Sequence, residues 1–238
     1  MKDQRWSEFF DERDAYVIEH SGYGGRGGFG QRSAVLVIDV TVGFCGEQRE
    51  PIETSITRWR NSCGEVAWDA LPVIAQVTNA ARAYGVPVIY SGGMPRPNLP
   101  VYSGRWLNKN TRREEDTRTD LSQVYEIMPQ IAPEPGDIVI RKTKPSVFFG
   151  TPLLSYLINL GVDTLICCGT STSGCVRSTV LDAFSNNFRV VVIEDATFDR
   201  VQASHRMNLF DMDQKYADVL PSDEVIGYLE SLKSAMPC

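Results

Sequence analysis

Short, unbroken apolar runs alternate along this chain with segments of helical period, and that alternation admits few folds. The runs are 34–38, 86–90, 138–140, 164–168 and 190–193, most of them rich in valine and isoleucine. Apolar runs without a polar alternate suit strands covered on both faces, as in parallel sheets. After the first run comes Pro72 at an expected first helical position. Val73, Ile74, Val77, Ala80, Ala81 and Tyr84 follow at helical spacing, with Gly85 and Pro87 behind them. Thr151-Pro152 opens a second helix, which carries Leu153, Leu154, Leu157 and Ile158 and is closed by Gly161. Val176, Thr179, Val180, Ala183 and Phe184 share one face of a third. Ser222 is expected to cap a last helix bearing Val225, Ile226, Leu229 and Leu232, with Asp223 and Glu224 in its first turn. The order predicts an α/β chain: a single doubly wound, Rossmann-like, mostly parallel sheet with helices on both faces. Ligands bind such sheets beyond the carboxyl ends of the strands.

The 238 residues, 42% of them hydrophobic, are enough for one substantial core, expected over 33–238. Residues 1–32 hold Trp6, Phe9, Phe10 and Tyr16 but no sheet-like run, so they read as an N-terminal arm that acts as a lid or packs across a subunit interface. With 30 acidic against 24 basic side chains and a net charge of −6, no global field recruits nucleic acid or an anionic membrane. No run approaches the roughly 18 apolar residues of a membrane span, and the opening Met1-Lys2-Asp3-Gln4-Arg5-Trp6 leads into no signal-peptide core. The expectation is a cytoplasmic protein with a small-molecule partner.

Six cysteines, at 45, 63, 167, 168, 175 and 238, show neither Cys-x-x-Cys nor a regular spacing, so reduced thiols are expected. Only His20 and His205 are available to a histidine-rich metal site or a Ser-His-Asp triad. No metal or cofactor is expected, and acid–base chemistry falls to carboxylates, lysines or tyrosines. Residues 1–32, 41–65 and 92–120 fit no regular element. In the last, Arg105, Lys109, Arg112 and Arg113 are followed at once by Glu114-Glu115-Asp116, which reads as a solvated loop. The glycine-rich stretch 23–30 precedes a strand and lacks Gly-Lys-Ser/Thr, so it is no phosphate loop.

Three reactive side chains lie just past strand ends: Asp39 after the first, Lys142 beside Arg141 after the third, and Cys175 beyond the fourth. Cys175 sits in Gly169-Thr170-Ser171-Thr172-Ser173-Gly174-Cys175-Val176, between a strand and a helix. The partial positive charge of a helix N-terminus favours thiolate there, and its free N–H groups suit a developing oxyanion. Each residue has a plainer reading. The small residues make a tight turn with Cys175 as a small hydrophobe, Asp39 caps a helix, Lys142 joins Arg141 and Lys144 in a surface cluster, and Cys45 is a buried loop thiol. Convergence on one rim favours chemistry: Asp39 as base, Lys142 as cation, Cys175 as nucleophile, and N–H donors near Ser171 and Cys175.

Taken together, Leu36-Val37-Ile38-Asp39, Arg141-Lys142-Thr143-Lys144-Pro145-Ser146-Val147-Phe148-Phe149-Gly150-Thr151-Pro152-Leu153, the 169–176 segment continuing to Asp182-Ala183, and Asp199-Arg200 with Asn208-Leu209-Phe210-Asp211-Met212-Asp213 resemble the isochorismatase-like cysteine hydrolases. Within them the likeness is to the N-carbamoylsarcosine and maleamate amidohydrolase branch, from about Gly24 onward. The resemblance implies an Asp-Lys-Cys triad and selects Lys142 over Lys144, because the lysine stands four residues before the Ser-x-Phe-Phe element. It implies a cis peptide at Thr170–Ser171, an oxyanion hole from the Ser171 and Cys175 N–H groups, and substrate contacts from Arg200, Thr170 and Thr172. A salt bridge from Arg200 to Asp199 or Asp195 is the competing reading. It also implies a dimer or tetramer acting on a small linear amide or ureide with release of ammonia: an N-carbamoyl amino acid, a maleamate-like monoamide, or a biuret- or triuret-like compound. Two other readings stand beside it: enol-ether hydrolysis, which needs no cysteine, and a non-catalytic ligand-binding scaffold. Where many relatives have Asp-x-Gln-Asn-Asp-Phe this chain has Asp39-Val40-Thr41-Val42-Gly43-Phe44, and it lacks the histidines with which nicotinamidase-type relatives hold a metal.

Overall fold

The apolar run at 34–38 forms β1 (Ser33–Ile38), with every residue buried. In the computed structural model, which describes residues 4–94, 104–105, 109 and 123–232, five more strands join it: β2 (Val88–Gly92), β3 (Ile138–Arg141), β4 (Thr164–Thr170), β5 (Arg189–Phe198) and β6 (Asp218–Leu220). All pairings are parallel, in the order β3-β2-β1-β4-β5-β6. β1 is central, with Val37 opposite Tyr90 on one side and Cys168 on the other. The strand order reverses there, at the switch point where doubly wound sheets open a crevice.

The helices, numbered over the described residues, are α1 (Glu12–His20), α2 (Val42–Cys45), α3 (Ile52–Arg58), α4 (Glu65–Ala83), α5 (Leu153–Leu160), α6 (Arg177–Ser185), α7 (Gln202–Lys215) and α8 (Ser222–Ser231). Alternate residues of β1 serve opposite faces, as the pleat requires. Val35 and Val37 share a core with Ile74 and Val77 of α4 and Val225 and Leu229 of α8. Leu36 and Ile38 share the other with Leu153 and Leu157 of α5 and Val180 and Ala183 of α6. The doubly wound α/β sheet is therefore as expected, and parallel throughout.

Several boundaries differ for identifiable reasons. Pro72 is not at the start of its helix: α4 begins at Glu65, because Ala67, Ala70 and Leu71 extend the buried face upstream. Burial of that face outweighs the one intrahelical hydrogen bond that proline forfeits. β2 starts at Val88 instead of Val86, because the Val86 N–H is spent on the Ala81 carbonyl at 2.8 Å, closing α4 behind Gly85. Ser222 is the first residue of α8, not its cap. Its N–H and Oγ donate to Asp195 at 2.9 and 2.6 Å, so a carboxylate from β5 satisfies the helix start. α5 ends as expected on Gly161, left-handed at φ 67°.

The arm's first residues return to their own chain. Trp6 is 4% exposed within the core, the Phe10 ring packs tilted against Phe210, and Arg5 donates to Glu194 at 2.8 Å. α1, by contrast, buries no residue. The irregular 41–65 stretch contains α2 and α3, while Arg112, Arg113 and Glu114-Glu115-Asp116 lie outside the described residues. Among the described residues no helix is long and apolar enough to cross a membrane.

Candidate active site

The ends of β1, β2 and β3 lie side by side, and the site grows from their backbones. The Asp39 N–H donates to the Ser91 carbonyl at 3.0 Å and the Lys142 N–H to the Gly92 carbonyl at 3.0 Å. Asp39 is left-handed, at φ 56°, a conformation that a short polar residue tolerates better than most. Ser91 Oγ donates to Asp39 Oδ1 at 3.1 Å. Lys142 Nζ then spends its three donors on three acceptors: Asp39 Oδ2 at 2.6 Å, the Lys144 carbonyl at 3.2 Å and Cys175 Sγ at 3.3 Å. The three groups expected from distant stretches of sequence are in direct contact.

Cys175 reaches this cluster from a turn that begins with a close backbone approach. Gly169 has φ 106°, and a Cβ there would lie 2.2 Å from the Ile38 carbonyl oxygen, so only glycine lets β4 pass β1 at this point. The Thr170–Ser171 peptide is cis. Thr172–Val176 then forms a π-helical turn leading into α6, and the Gly174 and Val176 N–H groups donate to the Ser171 carbonyl at 2.9 and 3.2 Å. The Ser171 N–H has no acceptor among the described residues.

The electrostatics differ from those expected of a thiol at a helix start. Burial first, and Asp39 after it, push the Cys175 thiol up to about 12 against the opposing effect of Lys142. Desolvation of a charge outweighs the helix-terminal field, so the resting group is a thiol. Burial works against the Lys142 ammonium, but Asp39 and Cys175 together lift it above its ordinary value. Asp39 and Lys142 are 3% and 5% exposed, whereas Cys175 is half-buried at the edge of the cluster.

The other expected residues have hydrogen-bond partners of their own. The Thr170 hydroxyl is 3.6 Å from Cys63 Sγ and the Thr172 hydroxyl is 2.7 Å from His205 Nδ1, with both threonines fully buried. Arg200 forms no ion pair with Asp199 or Asp195. Its Nη1 donates to the Asn61 carbonyl at 2.8 Å, while Asp199 accepts from the N–H and Oγ of Ser173. Cys45 is a buried thiol, not in a loop but at the last residue of α2, held well above its ordinary pKa by burial and by nearby Cys63. Among the described residues no group of three His, Cys, Asp or Glu side chains is arranged to hold a metal. Cavities of about 280 Å³, lined by residues such as Asp69, Asp195 and His205, and about 370 Å³, beside Arg82 and Pro133, contain none of Asp39, Lys142 or Cys175. Ser91 was not foreseen, nor were the contacts that His205 and Asp199 make with the turn. Ser91 is the residue just past the apolar run 86–90, as Asp39 is past 34–38, although β2 itself continues to Gly92.

A sequence model of the isochorismatase domain matches residues 33–224. The chain is 33% identical to an N-carbamoylsarcosine amidase of Arthrobacter sp., over 93% of this chain and 80% of the relative. It is 31% identical to a maleamate amidohydrolase of Pseudomonas putida, over 88% and 92% of the two chains. Among solved structures it resembles a cysteine hydrolase from Pseudomonas syringae pv. phaseolicola, with a TM-score of 0.72 and 25% identity over 84% of this chain and 93% of that one. The sheet, the three strand-end residues and these likenesses agree: the chain belongs to the isochorismatase family.

Proposed function

We propose that this chain is a cysteine amidohydrolase that cleaves a C–N bond of a small linear amide or ureide. The observation that carries the reading is the single ammonium of Lys142, which touches both the Asp39 carboxylate and the Cys175 sulfur. The relatives named as amidases and amidohydrolases support it.

In the first half-reaction Asp39 accepts the Cys175 proton as sulfur attacks the carbonyl carbon. This concert is needed because the thiol resists ionising on its own. The Ser171 and Cys175 N–H groups hold the oxyanion of the tetrahedral intermediate. Collapse breaks the C–N bond, and Asp39 returns its proton to the departing nitrogen, which leaves as ammonia. A thioester on Cys175 remains. Water, deprotonated by Asp39, attacks that thioester, and the sulfur takes the proton back as the acid is released. Lys142 holds base and nucleophile together through both halves.

The test is ammonia release across N-carbamoyl amino acids, monoamides and condensed ureas by wild type, Cys175→Ala and Asp39→Ala. Turnover of one class by wild type and loss of more than about a thousandfold in both variants is expected. Turnover retained in Cys175→Ala overturns the mechanism.

The arm belongs to the same proposal. α1 buries nothing against its own chain and leaves Tyr16 63% exposed, which supports packing against a second copy in a homo-oligomer. Light scattering that reports a monomer at micromolar concentration removes this part.

A further inference from the structure

The turn that presents Cys175 is built from Thr172, Ser173, Gly174, Cys175 and Val176. Only its ends are buried: Thr172 and Val176 are fully inside, while Ser173 is exposed and Gly174 and Cys175 lie at the surface of the cluster. With little apolar surface of its own, the turn is located by polar ties. The adjoining segment supplies them. His205 Nδ1 is 2.7 Å from Thr172 Oγ1, Asp199 accepts from the Ser173 N–H and Oγ at 2.8 and 2.7 Å, and Arg177, just after the turn, donates to Asn208 and Asp211.

Of these ties, the one from His205 is unlike the rest. It meets a hydroxyl that is wholly excluded from water, on the residue immediately after Ser171 and three before the sulfur. It comes from the first turn of α7, whose Leu209 and Met212 are locked into the core. His205 itself makes no contact with Asp39, Lys142 or Cys175. A helix anchored in the core thus reaches the turn that carries the sulfur through one buried hydrogen bond.

We infer that His205 is a positioning residue: by holding Thr172 it sets where the turn places the Cys175 sulfur and the Ser171 N–H. This rests on the proposed thiol chemistry, but the placement can be read without it. A misplacement of the order of 1 Å at a reacting atom costs about a hundredfold in rate, while leaving substrate affinity nearly unchanged. The role also gives Thr172 a task other than substrate contact.

The experiment uses four variants of the full chain. His205→Phe keeps a ring and removes the bond, and Thr172→Val removes the hydroxyl at constant shape. His205→Asn sets an amide where Nδ1 stood, and the fourth combines His205→Phe with Thr172→Val. The expected result is a kcat lowered about tenfold to a hundredfold in both bond-breaking singles, with KM within about twofold. The combination is no worse than the poorer single, and His205→Asn recovers most of the loss. Cys175 alkylation by iodoacetamide, which needs no substrate, changes in the singles and returns toward wild type in His205→Asn. If the reaction assignment is wrong, this second readout still follows the bond. The inference is overturned if His205→Asn is as impaired as His205→Phe, if the two singles multiply, or if both keep wild-type kcat. Should His205→Phe fail to fold, the isosteric Thr172→Val decides alone: wild-type kcat and alkylation there overturn it.

Discussion

Lys142 Nζ donates to Asp39 Oδ2 at 2.6 Å with both side chains more than nine-tenths buried. Such a pair is costly to break from one side, because the survivor is a buried charge with no counter-charge. Lys142→Met is expected to lower stability by about 3 to 5 kcal/mol, and Asp39→Asn to do likewise from the other side. The double variant, with neither charge, should be more stable than either single. Urea midpoints of the four proteins check this, and additive losses contradict it.

Asp39 and Lys142 push the Cys175 thiol in opposite directions, the first up and the second down, on top of the larger effect of burial. Asp39→Asn removes one upward push and leaves the ammonium beside the sulfur. The thiol then ionises at lower pH, so iodoacetamide should alkylate Cys175 faster than in wild type at pH 8 while ammonia release falls by more than about a hundredfold. Alkylation rates against pH, read by mass spectrometry on Cys175, decide. A slower reaction in Asp39→Asn contradicts the assignment.

Burial holds His205 below the ordinary histidine pKa, Arg206 adds to this, and Asp199 and Glu194 oppose it. The unfolded chain takes up a proton near pH 6.5 that the folded chain refuses, so acid favours unfolding. The contribution of His205 is intact above about pH 6.5 and is lost as pH falls below it. Wild type should therefore lose stability faster than His205→Asn between pH 7 and pH 5. Thermal midpoints of the pair at half-unit intervals test it, and parallel curves refute it.

Gly169→Ala puts a methyl 2.2 Å from the Ile38 carbonyl oxygen at a φ of 106°. Nothing flexible is there to yield, since the neighbour is the backbone of the central strand. A loss of at least about 3 kcal/mol, or no soluble protein, is expected. A folded variant with a wild-type urea midpoint shows that β4 and β1 do not approach this closely.

The candidate rim was legible because parallel strands reveal themselves as unbroken apolar runs, and the residues after each run mark its carboxyl end. Asp39 follows its run directly, Lys142 is the second residue past its own, and Cys175 lies in the turn that leaves the fourth. What escaped did so for different physical reasons. β6 spans only Asp218–Leu220, too short for any period. α7 buries just Leu209 and Met212, so its sequence shows little amphipathic stripe. Pro72 misled because first-turn preference is local, whereas the start of α4 is decided by burial of Ala67, Ala70 and Leu71. The thiol's ionisation could not be read at all: a helix start is visible in sequence, but the depth at which the sulfur sits is not. Thr170 and Thr172 lie in the right segment, yet their hydroxyls face Cys63 and His205, and side-chain direction in an irregular turn has no sequence period.

More than half of the chain separates Asp39 from Cys175, and the lysine that joins them lies in between. A nascent chain emerging from the ribosome therefore carries Asp39, then Lys142, then Cys175, and the sulfur meets the other two only once β4 has paired with β1. Strand β4 is the latch. A truncated product that ends between residues 142 and 174 has Asp39 and Lys142 but not Cys175, so incomplete synthesis yields two members of the site without the sulfur they act on.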